Sequence, residues 1–396
     1  MRKVDVVVLG SGISGSVAAM LLAQKGYRVA MISRDGGTKN HLPESWFYHP
    51  FNKVHDLGLE DKILPALTKQ TSCCFRSADG SISIEIAIAD AQKTIRNGDL
   101  VQVDRNVFDR VLLNAALEAG VEFFPMSLIK SVQLSSLVET ICVFQKGESQ
   151  QFLSSFIIDA TGKSAFLSNH LNLPVSEEKL DARLAYFTHF ELLEHKIEKI
   201  TIISVEGGYL FCVPISHQRI SVGCVLAEQA IDKSVVAEEV FAHAVSLSSY
   251  VTDLITGAKR VLPIIPAKNH RKICLDPAGL RYRLVGDAAA FLDPFFCPGI
   301  DFAFFSAEQA VLTIENEAPL NYRMAIMKWL EESKGAIYQK IEKSSWESIM
   351  RLFADPHLPF SIPLMWTQAF TRAVGQQVSL NAGMQAARRS YEISLC

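Results

Sequence analysis

The chain has 396 residues, 49% of them apolar and 20% charged. That length exceeds one simple hydrophobic core, so a main domain with a second lobe is expected, and the apolar share excludes a disordered chain. A net charge of −3 with no block of Lys and Arg excludes a surface built for nucleic acid or anionic lipid.

Val4 to Leu9 is an unbroken branched run, the mark of a parallel strand covered on both faces, and Ser14 to Lys25 follows with helical spacing. Tyr27 to Ile32 supplies the next strand, so a βαβ unit opens the chain. Met1-Arg2-Lys3 ahead of an apolar stretch to Ala23 imitates a secretory signal, but Asp5 and three spaced glycines interrupt it. A buried strand, turn and helix is expected instead, with no stable membrane insertion and a cytoplasmic location. Asp35 to Lys53 lacks a period and predicts an extended loop over a site. Cys73 to Arg76 and Ser81 to Ala87 predict a hairpin closed by Asp79-Gly80.

Phe108 to Ala119 predicts an amphipathic helix. Val121 to Phe124, Ser127 to Gln133, Glu139 to Phe144 and Phe152 to Ile158 predict a strand and then a meander returning to the core. Leu184 to Leu192, Ile200 to Val205, Gly208 to Pro214 and Ile220 to Leu226 predict a long antiparallel sheet. A helix over Ser234 to Leu247, a buried strand over Leu280 to Val285 and helices from Phe302 onward complete the pattern. The fold class expected is mixed α/β, with a Rossmann-like domain interleaved with an antiparallel-sheet domain and a C-terminal helical cap. The nucleotide domain is expected over residues 1–70, 96–175 and 265–325, the sheet domain over 71–95 and 176–264, and the helical region over 326–396. The eight cysteines, Cys73, Cys74, Cys142, Cys212, Cys224, Cys274, Cys297 and Cys396, show no C-x-x-C spacing, so no zinc site is expected and they read as reduced thiols.

Gly10-x-Gly12-x-x-Gly15 stands between a strand and a helix, where glycines permit a tight turn, close approach of a pyrophosphate and close helix packing. Ser14 falls in the first turn of that helix, whose N–H groups and positive dipole end face the phosphates. The second strand ends in Ser33 rather than an acidic residue, followed by Arg34 and Asp35. Ser33 or Asp35 could take the ribose hydroxyl, and Arg34 could stack on or pair with the adenosine end. Arg105, just ahead of the Phe108 helix, could reach a phosphate or a flavin edge. Asp159-Ala160-Thr161-Gly162 closes a strand with a small-residue turn that lets backbone pass close to a cofactor. Gly286-Asp287 follows the Leu280 to Val285 run and sets a carboxylate where it can accept a ribityl hydroxyl.

In this order and spacing, the Gly10 cluster, Arg105, the Asp159 turn and Gly286-Asp287 resemble the FAD framework of para-hydroxybenzoate hydroxylase-type flavoproteins. Phe291-x-x-Pro294-x-x-Cys297-x-Gly299 is similar to the FxxPxxSxG segment of flavin-dependent halogenases, with Cys297 in place of serine. N–H groups of Gly299 and Ile300 would then stabilise negative charge on a reduced flavin. Gly207-Gly208-Tyr209-Leu210-Phe211-Cys212-Val213-Pro214 resembles the halogenase WxWxIP segment and the YxWxFP segment of geranylgeranyl reductases. Tyr209 and Phe211 share one face of a strand, as a wall for an aromatic substrate or as sheet core. The halogenase resemblance implies a lysine that handles hypohalous acid; Gln70 falls at that place, with Lys69 one step off.

The loop Leu42-Pro43-Glu44-Ser45-Trp46-Phe47-Tyr48-His49 looks like the segment lying along the flavin, which makes Glu44 and His49 candidate acid or base. Cys297 is a candidate reactive thiol beside the flavin. The resemblance implies FAD as cofactor, and hydroxylation of an aromatic group through a flavin C4a-hydroperoxide. Electrons would come from NAD(P)H or a separate flavin reductase, and the substrate would be an aromatic small molecule, a carrier-bound group or a protein-borne tryptophan. Halogenation, geranylgeranyl-type reduction and a non-turnover maturation partner are the alternatives.

Overall fold

Four consecutive buried residues, Val6–Leu9, form the central strand, paired in parallel with Val29–Ile32 on one side and Phe156–Asp159 on the other. The computed structural model describes residues 1–37, 45–47, 57–70, 72–81, 83–87, 100–134, 139–145, 148–193, 199–216, 218–228, 231–232, 234–291, 298–316 and 318–333. Around the central strand a six-stranded sheet runs in the order Ala278–Gly279, Tyr282–Leu284, Phe156–Asp159, Val6–Leu9, Val29–Ile32, Glu122–Phe124. The wholly apolar central strands Val6–Leu9 and Val29–Ile32 need cover on both faces. On one face lies the helix Ile13–Gln24, flanked by the helices Arg105–Glu118 and Pro298–Glu315. On the other lies a meander whose Phe152 meets Phe124 edge-on at 4.9 Å between ring centres.

The second lobe is a nine-stranded sheet. Its long strand Val175–Glu191 pairs antiparallel with Arg219–Ala227 on one side and Ile265–Cys274 on the other. Gly208–Pro214, Ile200–Val205, Ser72–Ser77 and Ser83–Ala87 extend it outward. One face packs Leu210, Cys212, Val222 and Cys224 against the helices Ala237–Ser246 and Ser249–Ile255. The short strand Ala290–Phe291 joins this sheet at Ile273 immediately after the Gly286-Asp287 turn, so the turn sits on the seam between lobes. A small third sheet sets Leu100–Val103 between Ser45–Phe47 and Leu67–Lys69. Among the described residues, no helix is long and apolar enough to cross a membrane.

Several elements differ from the sequence reading. The run Phe152 to Ile158 is two strands in two sheets, Glu148–Ser154 and Phe156–Asp159. The chain crosses over at Ser155, whose N–H donates to Asp5 O at 3.1 Å. The helix expected from Phe108 begins at Arg105, because the Asp104 carboxylate accepts from the N–H groups of Asn106 and Val107 and caps it. The helix expected from Ser234 begins at Ala237. The strand expected from Leu280 is confined to Tyr282–Leu284, and Leu280 is exposed beside the turn that precedes it. The helix expected from Phe302 starts one turn earlier at Pro298, a favoured residue in a first turn. The helical cap expected beyond Ser333 lies outside the described residues.

Candidate active site

A cavity of about 550 Å³ opens where the C-terminal ends of the parallel strands meet the large sheet. This is where open α/β sheets hold their ligands. The first wall is the glycine turn. Gly10 has φ +108, and a side-chain carbon there would overlap the Ala160 carbonyl. Gly15 is equally confined, since such a carbon would strike Gly10 O. At Gly12 nothing among the described residues lies within 4 Å of that position, and Gly12 lines the cavity with Ser11 and Ser14. The unpaired N–H groups of the helix therefore look onto open space shaped for an anion.

At one end of the cavity stand Ser33, Arg34 and Asp35. Ser11 Oγ donates to Ser33 Oγ at 2.8 Å, and Ser33 Oγ donates to Asp35 Oδ1 at 3.2 Å. Serine at the strand end thus holds the shifted carboxylate in place. Ser127, Leu128 and Ile129 close the same end, fastened by Ser127 N–H to Ser33 O at 2.8 Å. The sequence reading missed these three residues, because they arrive from the meander 94 positions after Ser33 and carry no local motif.

Arg105 lines the cavity and is buried, with Nε and Nη2 each 2.9 Å from the carboxylate oxygens of Asp109 one turn on. The i,i+4 spacing was visible in the sequence, and Asp109 is the residue that fixes the guanidinium. Asp287 also lines the cavity. Burial pushes its carboxyl above the usual range, while the Lys163 and Arg105 charges pull it back. Lys163, unremarked in the sequence, faces the same cavity with Nζ 4.1 Å from the Phe291 ring centre. Burial lowers its pKa and the Asp287 charge raises it.

Asp159 is a correction. Its carboxylate does not face the cavity but accepts from Thr161 N–H at 2.9 Å, Thr161 Oγ1 at 2.7 Å and Leu167 N–H at 2.6 Å. It shapes the turn, and Ala160, Thr161 and Gly162 present their atoms to the cavity instead. Gly286 has φ +58 and lies so near Ser14 that a side-chain carbon would sit 2.6 Å from its Oγ. Its N–H donates to Ser306 Oγ at 2.9 Å, a buried helix residue with no sequence signal.

Gly299 and Ile300 line the cavity from the first turn of Pro298–Glu315. Asp301 in that turn accepts from Trp46 Nε1 at 2.9 Å, and Trp46 is packed between Phe108 and Phe304. Glu44, His49, Pro294 and Cys297 lie outside the described residues.

The far end of the cavity is apolar: Phe187, Ile265, Pro266 and Ala267. Phe211, Gly223 and Phe187 are cross-strand partners in one row, and a side-chain carbon at Gly223 would come within 2.6 Å of the Phe211 ring and 2.8 Å of Phe187 Cβ. Phe211 and Tyr209 therefore stand on the cavity side of the sheet, opposite the Leu210 and Cys212 core face.

An anion-ready helix terminus, the cations Arg34, Arg105 and Lys163, the carboxylates of Asp35 and Asp287 and an apolar end in one cavity fit FAD, whose pyrophosphate, ribityl hydroxyls and tricyclic ring require such partners. Comparison with known proteins agrees. Residues 5–169 match the FAD dependent oxidoreductase family. The 1H-pyrrole-2-carbonyl-[peptidyl-carrier protein] chlorinase of Pseudomonas fluorescens is 25% identical over 333 residues, covering 77% of this chain and 74% of that protein. The putative FAD-dependent oxidoreductase LodB of Marinomonas mediterranea is 25% identical over 358 residues, covering 86% and 94%. The crystal structure of CmlS, a flavin-dependent halogenase, superposes with a TM-score of 0.72 at 22% identity, over 100% of this chain and 78% of that one. The tryptophan halogenase family matches residues 100–320, more than half of the 396. The chain is an FAD-dependent oxidoreductase and belongs to the tryptophan halogenase family.

Proposed function

We propose that this protein is a monooxygenase that hydroxylates an electron-rich aromatic group on a small molecule, a carrier-bound residue or a protein tryptophan. Gln70 carries the reading. It falls where the halogenase resemblance expects a lysine, and it is a fully buried carboxamide. A carboxamide has no amine to capture an oxidised halide. Lys69 is no substitute, because it pairs with Val101 and adjacent strand residues point to opposite faces.

Reduced FAD, when bound, supplies the activation of dioxygen, with electrons from NAD(P)H or a separate flavin reductase. The protein's own share is placement and dryness. Gly10, Gly12, Ser14 and Gly15 would hold the pyrophosphate; Ser33 and Arg34 the adenosine end; Arg105, Gly162, Gly286 and Asp287 the middle; Gly299 and Ile300 the flavin edge through the helix terminus. Tyr209 and Phe211 would wall the substrate. Glu44, His49 and Cys297 remain the proposed reacting side chains, and Pro294 a loop contact.

A second reading, halogenation, is favoured by the family itself and by relatives such as the pyrrole-carrier chlorinase. One assay separates the two. FAD-loaded protein is supplied with NADH, a flavin reductase, oxygen and an indole, a phenol or a tryptophan-bearing peptide, with and without bromide, and products are weighed by mass spectrometry. A product heavier by one oxygen, formed equally without halide, is expected. A halogenated product, or turnover only with halide, refutes hydroxylation.

A further inference from the structure

Four buried polar side chains flank the place where Thr68 of the small three-stranded sheet touches Ile215 at the end of a strand of the large one. Gln70 and Gln102 stand on the same face of the small sheet: Thr68 pairs with Gln102, and the Gln70 N–H, two residues on, continues the ladder to Leu100 O at 2.9 Å. His189 and Ser221 are direct cross-strand partners in the large sheet, on the face that carries Phe187. Thr68 joins the two faces, its hydroxyl donating to Ile215 O at 3.1 Å. Val213, two residues before Ile215, is the cross-strand partner of Ser221. None of the four side chains belongs to a residue more than 4% exposed.

Three atoms here have no hydrogen-bond partner among the described residues: Gln70 Oε1, Gln102 Nε2 and Ser221 Oγ. Ser45 Oγ donates to Gln102 Oε1 at 2.7 Å, which fixes that amide with its nitrogen turned away from Ser45. One unmade buried hydrogen bond is costly, and an acceptor, a donor and a hydroxyl flanking one contact call for a polar group that the described residues do not supply.

We propose that this seam is the polar end of the substrate site, with Gln70 Oε1 accepting a hydrogen bond from a ring-borne N–H or O–H of the aromatic substrate. Gln102 Nε2 and Ser221 Oγ complete the environment of that group. The Phe211, Gly223, Phe187 row lies two residues along the strands from Val213, Ser221 and His189. A ring packed on that row therefore reaches the seam with its edge. This rests on the aromatic-substrate reading above and narrows it to rings that carry their own proton donor, indoles or phenols.

The test is equilibrium binding to the FAD-loaded protein, followed by the change in flavin absorbance, with indole, phenol, 1-methylindole and anisole as probes. The parent rings are expected to bind roughly 10- to 100-fold more tightly than their methylated forms, since methylation strands the buried acceptor. Indole against phenol tells a nitrogen donor from an oxygen donor. Gln70→Leu is expected to abolish the preference and Gln70→Glu, which keeps an acceptor, to retain it. Should Gln70→Leu not fold, Gln70→Met, closer in shape to glutamine and also without the carbonyl acceptor, is read the same way. Equal binding of the methylated rings, a preference unchanged in the leucine or methionine variant, or no binding by any probe up to its solubility overturns the proposal. Because binding is read without turnover, a halogenated product in the earlier assay would sink the hydroxylase reading and leave this one standing.

Discussion

Gly10 and Gly12, two residues apart, separate folding from cofactor binding. Gly10 holds φ +108, and a methyl there would overlap the Ala160 carbonyl. Gly10 is also held by its N–H to Ile32 O at 2.7 Å, and Ala160 by its N–H to Leu9 O at 2.8 Å, so neither side can yield without breaking a strand-end bond. Gly10→Ala therefore incurs backbone strain of about 1–3 kcal/mol, and overpacking of about the same size. A loss of roughly 2–6 kcal/mol is a large share of a stability of about 5–15 kcal/mol. At Gly12, by contrast, φ is −73 and no atom of the described residues lies within 4 Å of an added carbon. Gly12→Ala should leave the flavin-free protein within about 0.5 kcal/mol of native, an ordinary surface effect. Its methyl would occupy the space for the pyrophosphate, weakening FAD by about 10- to 100-fold, or about 1.4–2.8 kcal/mol. Thermal unfolding of the flavin-free proteins and titration of flavin fluorescence read the two quantities separately. Native FAD affinity in Gly12→Ala would refute the placement of the pyrophosphate, and native stability in Gly10→Ala would refute the steric argument.

Asp109→Ala leaves the buried Arg105 guanidinium without its carboxylate and should destabilise the protein by about 3–5 kcal/mol in urea unfolding; an unchanged midpoint would show that Arg105 has another sufficient anchor. Asp287 gives a pH prediction. Burial raises its folded carboxyl above the ordinary 3.8, so the folded state holds the proton more tightly, and this group's stability contribution is lost as pH rises from 3.8 through the raised value. Asp287→Asn should accordingly stabilise the flavin-free protein at neutral pH while weakening FAD, and a variant that loses both stability and FAD would contradict the sign. Gly223→Val fills the space under Phe211 and beside Phe187, so it should displace the Phe211 ring and lower thermal stability, and unaltered unfolding together with unaltered substrate binding would show that the row is not closely packed.

Much of the candidate cofactor site was legible because its signals are local. A branched run, three glycines at fixed spacing and a helix report a nucleotide turn within twenty residues, since the glycines answer to backbone geometry in their own neighbourhood. The Gly286-Asp287 turn was readable for the same reason. Asp159 misled, because an acidic residue before a small-residue turn serves equally to accept the turn's own N–H groups, and only the Thr161 and Leu167 bonds show that it does. Ser306 and Leu128 gave no signal at all.

The sequence by itself determined the elements and the class: buried strands, an opening βαβ unit, alternating runs for an antiparallel sheet, and the order of motifs along one cofactor. Tertiary structure alone decided the partners. It divided Phe152 to Ile158 between two sheets, set Phe211 over Gly223 beside Phe187, and brought Thr68 of the small sheet against Ile215 of the large one. Periodicity and capping act over a few residues and are written in the chain, whereas a cross-sheet neighbour depends on strand order and register, which are fixed only when segments a hundred residues apart close into one core.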